Sequence, residues 1–224
     1  MPLIDAPRSL WSDAGYALRR NRAAMSAAVL LGLLALLVVF GPLLSPYAYD
    51  KPDWEHIAMP PTLADGHLFG TDALGRDLLS RTLQGGRMSL LVGLVSTIVS
   101  LVIGIAWGAT AGYVGGRTDR IMMRIVDILY ALPFMFLVIL LMVLFGRQIV
   151  LIFVAIGAIN WLDMARIVRG QTLGLKQREF VEAARVSGVG TARIILRHIV
   201  PNLLGVVVIY VTLTIPQVIL VESF

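Results

Sequence analysis

Three histidines, fourteen carboxylates and nineteen basic side chains are the groups in this 224-residue sequence that could bind a metal, move a proton or hold an anion, and there is no cysteine. The missing thiols exclude disulfides, zinc-thiolate centres and cysteine nucleophiles. His56, His67 and His198 are too scattered for a recognisable metal-ligand spacing, so each reads as a surface or interfacial residue. Neither of the two lysines, Lys51 and Lys176, follows a glycine. The phosphate-cradling pattern G-x-x-x-x-G-K-[ST] is therefore missing, as are H-E-x-x-H and G-x-S-x-G. No catalytic residue, bound cofactor or metal is expected, and any ATP must be used by another chain.

What remains is charge pairing and helix capping. Asp127 stands at the border of an apolar run, where an unpaired carboxylate is costly, and Arg124, three residues back, is its expected partner. In GTDALGRDLLSR, Thr71 or Asp72 could cap a short amphipathic helix along which Arg76, Asp77 and Arg81 pair. Asn160 and Glu222 lie near the ends of apolar runs, and nothing marks either as a substrate ligand. The substrate-binding residues stay unassigned.

The most polar insert between apolar runs is EFVEAARVSGVGTARIILRHIVPN, Glu179 to Asn202. Glu182, Ala183, Ala184 and Arg185 favour helix, and Gly188 is placed where a left-handed residue ends one. Thr191 offers a hydroxyl cap to a second helix, ARIILRHIV, which Pro201 terminates or kinks. Arg193 and Arg197 share one face of it, Ile195 and Ile199 another. A helix, tight turn and helix continuous with a membrane span suit a module that receives force from a soluble partner. An interfacial helix on anionic headgroups would carry similar charges, and periodicity alone leaves both open.

The elements that position this insert are set by composition. Only 15% of residues are charged and 58% are hydrophobic, against about 25% charged in soluble domains. The fold class is thus an all-α polytopic membrane protein. Five charge-free runs, Met25–Leu44, Ser89–Gly112, Ile128–Gly146, Gln148–Leu162 and Asn202–Val221, reach or approach the roughly 20 residues that cross a bilayer. The fourth is short and borrows helix from DMARIVRG. Gly104, Gly108 and Gly112 recur every fourth residue, which predicts close helix packing rather than a ligand site. Pro133 and Pro216 would bend or interrupt their runs, at a gate or simply for packing.

Basic residues number four in 1–24, four in 45–88, three in 113–127, one at Arg147 and seven in 163–201. An internal N-terminus puts fourteen of the nineteen on the cytoplasmic side. The expected organisation is a cytoplasmic segment 1–24, an N-terminal anchor 25–44 retained as a signal anchor, an external segment 45–88, and a transmembrane domain 89–224 whose cytoplasmic loop is 163–201. Basic blocks confined between spans read as topology, so the lipid bilayer is a partner and nucleic acid is not. The sequence ends at VILVESF directly after the fifth run, which predicts a fragment lacking at least one further helix.

Glu182-Ala183-Ala184, then Gly188, then Pro201 thirteen residues later, resembles the EAA loop of the inner-membrane permease subunits of bacterial ABC importers. His198 and Val200 depart from the general pattern, but RHIVPN is similar to the H-I-x-P-N ending of the dipeptide, oligopeptide and nickel branch. HLFGTDALGRDLLSRTLQGGRMSL, GYVGGRTDRIMMRIVDILYALP and WLDMARIVRGQTLGLKQREFVEAAR resemble the C-type permease of that branch, and together the likeness covers most of residues 67–202.

The resemblance implies a six-helix fold and an ATPase-coupling role for Glu182, Ala183, Ala184, Gly188 and Pro201. It also implies a sister permease, two cytoplasmic P-loop ATPase subunits and an extracytoplasmic solute-binding protein, in a bacterial plasma (inner) membrane. The expected function is import of peptides, or of a small solute such as nickel. Two rivals are an intramembrane enzyme, which would need ionisable pairs inside the runs, and an anchor, scaffold or truncated remnant that transports nothing.

Overall fold

A computed structural model describes residues 10–133 and 149–222, together with Phe136, Ile139, Leu140, Val143 and Leu144. Among these residues the chain is helical, with no strand and one isolated bridge between Thr71 and Asp77. The helices are α1 Leu10–Arg20, α2 Arg22–Leu44, α3 Leu78–Val114, α4 Gly116–Tyr130, α5 Ile149–Leu175, α6 Glu179–Val186, α7 Thr191–Ile194 and α8 Val200–Glu222, with a π turn, Ile195–Ile199, between the last two. Two compact units, Met1–Met88 and Ser89–Phe224, divide the chain within α3.

Among the described residues three helices are long and apolar enough to cross a membrane: α2, α3 and the continuous stretch Thr191–Leu220. They contain the first and second expected runs and all but the last residue of the fifth. Residues 149–162 of the fourth run lie within α5, Gln148 being outside the described residues, as are eight of the nineteen residues of the third run. At 1.5 Å per residue α3 is about 55 Å long, well beyond a hydrocarbon core of about 30 Å. The second run is therefore the C-terminal part of a longer helix. Pro133 follows the end of α4, as its effect on the preceding backbone requires, whereas α8 continues through Pro216.

In the first unit Asn21 caps α2, its side chain accepting from the Ala24 amide at 3.1 Å. Gly41 and Gly86 lack the Cβ atoms that would crowd Leu83 and Val38, at 2.9 and 3.1 Å. The short helix expected within residues 70–81 forms only from Leu78 onward. Residues 71–77 instead form a turn, and α3 starts at Leu78. Asp77, rather than Thr71 or Asp72, caps it, accepting from the Ser80 amide and hydroxyl at 2.7 Å each. Asp72 serves the turn, accepting from the Leu74 and Arg76 amides and pairing with the Arg76 guanidinium at 2.8 Å.

His67 corrects the expectation that each histidine is a surface or interfacial residue. It is 1% exposed, stacks on Tyr47 with ring centroids 4.1 Å apart, and bonds Asp77 through Nδ1 at 3.0 Å. Chain folding brings His56 close to it, at 5.7 Å between rings.

The second unit is organised by the glycine stripe. A Cβ at Gly104 would lie 2.5 Å from Met164, one at Gly108 would strike the Ala165 carbonyl, and one at Gly112 would lie 2.8 Å from Thr172. The stripe is thus the contact of α3 with α5, as small-residue spacing predicts. Trp107 on α3 donates to the Met122 carbonyl of α4 at 3.1 Å and meets Trp161 of α5 edge-on at 5.2 Å. Asp127 is paired with Arg166 of α5 at 2.9 Å, not with Arg124. Arg166 also lies 4.3 Å above the Tyr130 ring, so two contacts favour the cross-helix partner. One turn on, Arg169 grips Asp119 with two hydrogen bonds, at 2.5 and 2.6 Å, and holds its carboxyl below the usual range.

Candidate coupling surface

The short helix α6 ends by a defined hydrogen-bond scheme. Its cap, Ser187, donates to the Ala183 carbonyl, Gly188 to Arg185 and Val189 to Ala184, each N–H at 3.0 Å. The last two are the paired bonds of a Schellman ending, which puts the residue after the cap in the left-handed region. Gly188 has φ 76° and meets that demand without a clashing Cβ. Val189 completes the motif by packing on the same cluster as Ala184. Thr191 does not cap the next helix as expected; Gly190 occupies the cap position and no side chain bonds there.

Pro201 neither terminates nor breaks its helix. A proline inside an α-helix removes one N–H and crowds the carbonyl four residues earlier. Here the preceding turn, Ile195–Ile199, is π-helical, and the Val200 amide reaches back to Ile195. That wider turn, together with an Asn202 side chain donating to the His198 carbonyl at 2.7 Å, accommodates the proline. The chain thus runs from α7 into α8 as one rod.

Burial fixes the insert to the helices around it. Val181 and Ala184 of α6, with Ile194 and Ile199, pack among Ala109 and Tyr113 of α3, Met164 and Val168 of α5, and Leu203 and Val207 of α8. Burying a side chain of valine or isoleucine size contributes about 1.5–3 kcal/mol. Tyr113 also carries two cations, Lys176 Nζ at 5.7 Å and the Arg185 guanidinium at 5.8 Å from its ring centroid. Phe180 and His198 add a ring contact at 6.5 Å between α6 and the π turn.

The five expected coupling residues divide between surface and core. Glu182, Ala183, Gly188 and Pro201 are exposed, while Ala184 is buried. The two alanines therefore have opposite tasks. Val186 at 84% and Leu196 at 68% exposure leave apolar surface beside Arg185, Arg193 and Arg197. Glu182 lines a shallow cleft with Leu173, Lys176, Gln177 and Arg185. Sequence reading missed the Tyr113 platform and the π turn. An aromatic residue four positions before Arg117 gave no hint of the first, and only the proline hinted at the second.

Residues 101–223 match the family described as "binding-protein-dependent transport system inner membrane component". Residues 9–61 match the "N-terminal TM domain of oligopeptide transport permease C". The oligopeptide transport system permease protein OppC of Haemophilus influenzae is 54% identical over 217 residues, 97% of this chain and 70% of that protein. Its Escherichia coli K12 counterpart is 55% identical, with 97% of this chain and 72% of that protein covered. The dipeptide transport system permease protein DppC of Bacillus subtilis is 44% identical, over 96% of this chain and 67% of that protein. With one family match running from within α3 into α8 and a second covering α1 and α2, the chain belongs to the inner-membrane permease components of binding-protein-dependent transport systems, in the C-type branch of the ABC importers.

Proposed function

We propose that this chain is the transmembrane permease subunit of an ATP-driven importer of short peptides, with α6 as its coupling helix. Identity of 54–55% along nearly the whole chain to oligopeptide permeases supports peptides as the solute class, ahead of nickel. The observation that carries the coupling role is the split of α6. Glu182 and Ala183 face outward, while Val181 and Ala184 are locked among α3, α5 and α8. A push on the outer face is then transmitted to three helices at once, because the inner face has no slack. ATP hydrolysis belongs to two cytoplasmic ATPase subunits, solute delivery to an extracytoplasmic binding protein, and the second half of the pathway to a sister permease.

The chain spans a plasma membrane several times with its N-terminus and the 163–201 loop in the cytoplasm, an orientation supported by the distribution of basic residues. Alternating access then needs two packings of the spans whose balance the nucleotide state shifts.

The test is a crosslink from Ser187→Cys, which would be the chain's single thiol, in native membranes. Capture of a P-loop ATPase, with a sister permease co-purifying, is the expected result. If no ATPase is captured while a thiol elsewhere on the loop crosslinks normally, α6 is not the coupling element.

A further inference from the structure

Between α2 and α3, a loop held by its own backbone brings together three metal-ligand side chains that lie apart in sequence. The Asp53 amide donates to the Gly75 carbonyl at 2.9 Å, and Gly75, with φ 72°, presses so close to the Asp53 carbonyl that no Cβ would fit. Thr71 Oγ1 bonds the His56 carbonyl, and the Thr62 and Gly70 amides both reach the His67 carbonyl, at 3.0 and 2.9 Å. One ligand atom from each of Asp53, His56 and His67 lies within 4.8 Å of the others.

His67 supplies the decisive observation. Its Nδ1 is 3.0 Å from Asp77 Oδ1, and both residues are buried, at 1% and 3% exposure. A carboxylate only accepts, so the Nδ1 proton sits in that bond. In the neutral ring Nε2 then carries a lone pair, and among the described residues this buried atom has no hydrogen-bond partner. Its polar neighbour is Asp53 Oδ2 at 3.8 Å, another electron-rich atom. A lone pair on the buried Nε2 thus faces a partly exposed carboxylate, an arrangement that a cation between them would satisfy. A histidine that gives its second N–H to a carboxylate and turns its free nitrogen inward is the arrangement that orients metal-binding imidazoles.

We propose that Asp53, His56 and His67 form a site for one divalent transition-metal ion of the zinc class, with Asp77 orienting His67 from behind. Two imidazole nitrogens and one carboxylate oxygen suit zinc in a four-coordinate site whose last position is water. Side chains of Asp53 and His56 are 34% and 31% exposed, leaving the open side to solvent. The Asp53 Oδ2 to His56 Nδ1 contact of 2.9 Å is the hydrogen bond that the ion would replace; a charged ring gives its Nδ1 proton to water, and a neutral ring binds as its Nε2–H tautomer. The bound ion would fasten residues 53–56 to the start of α3 through His67 and Asp77. It neither requires nor excludes the coupling role of α6.

The full chain, purified in detergent without a histidine tag and stripped with chelator, should bind one equivalent of Zn²⁺ by calorimetry. Co²⁺ at the same site should give the visible absorption of a tetrahedral ion. Asp53→Asn and His56→Ala should each weaken binding by at least about tenfold, the loss that even outer-shell changes produce. Zn²⁺ should raise the melting temperature of the parent chain and not of these variants. His56 is partly exposed, so its variant tests the site even if His67→Gln fails to fold. Absence of saturable Zn²⁺ binding, or equal affinity in the parent, Asp53→Asn and His56→Ala, overturns the proposal.

Discussion

At Gly188 the backbone is left-handed, with φ 76°, and two Schellman bonds depend on it. A side chain there costs about 1–2 kcal/mol, less for asparagine, which visits this region more readily. Gly188→Ala should therefore lower the melting temperature of the purified chain and Gly188→Asn should lower it less; equal melting of all three would contradict the scheme. Asp72 sets a pH limit on its turn. The Arg76 amide first, and then the Arg76 side chain and the Leu74 amide, hold its carboxyl at about 2, below the ordinary 3.8. A folded value below the unfolded one means that its stabilisation is complete above about pH 4 and disappears as pH falls toward 2. Protection of the 72–77 amides against hydrogen exchange, taken relative to intrinsic rates, should fall over that window in the parent and stay flat in Asp72→Asn. At this scale the sequence was legible in kind but not in partner. Spacing placed Asp127 with Arg124, whereas Arg166 arrives from 39 residues away on another helix. His67 likewise gains its carboxylate from a fold that no local rule encodes.

Between elements the controlling quantity is the separation of α3 and α5, set where glycines allow backbone contact. A Cβ added at Gly108 would meet the Ala165 carbonyl and lie only 2.9 Å from Val168 Cβ, whereas a Cβ at Gly205 of α8 meets nothing within 4 Å. Overpacking of this kind costs about 1–3 kcal/mol, while removing a glycine from an open helix position gains up to about 1 kcal/mol. Gly108→Leu should thus lower the melting temperature in detergent and Gly205→Ala should hold or raise it. Equal losses from both would mean that the stripe is not a packing contact. This contact was readable beforehand because a four-residue repeat of small side chains has one geometric outcome, a flat face on a helix. The extent of α3 was not. Hydropathy registers its apolar C-terminal part, but the eleven residues from Leu78 to Met88 are held helical by the Asp77 cap and by packing against Gly41 and Val38.

Across the molecule, the all-helical class and family membership could be read from composition, charge distribution and a few spaced residues. The division of labour within the EAA segment could not, because identity and spacing are silent about which alanine turns inward. Burial supplies that answer and makes the coupling reading testable by adjacent residues. Ala183 is exposed, so Ala183→Trp should fold and melt like the parent. Ala184 sits in the cluster with Val181, Ile194 and Ile199, so Ala184→Trp should lose about 1–3 kcal/mol of stability. In cells carrying the complete importer, uptake of a labelled short peptide should fall at least about tenfold with Ala183→Trp, equivalent to some 1.4 kcal/mol of lost docking. Expression and melting should be unchanged in that variant. Two adjacent substitutions of the same size thus separate a contact made with another subunit from one made within the chain. Full uptake in Ala183→Trp would remove the outer face of α6 from the coupling surface and shift attention to Val186 and Leu196, the exposed apolar residues beside it.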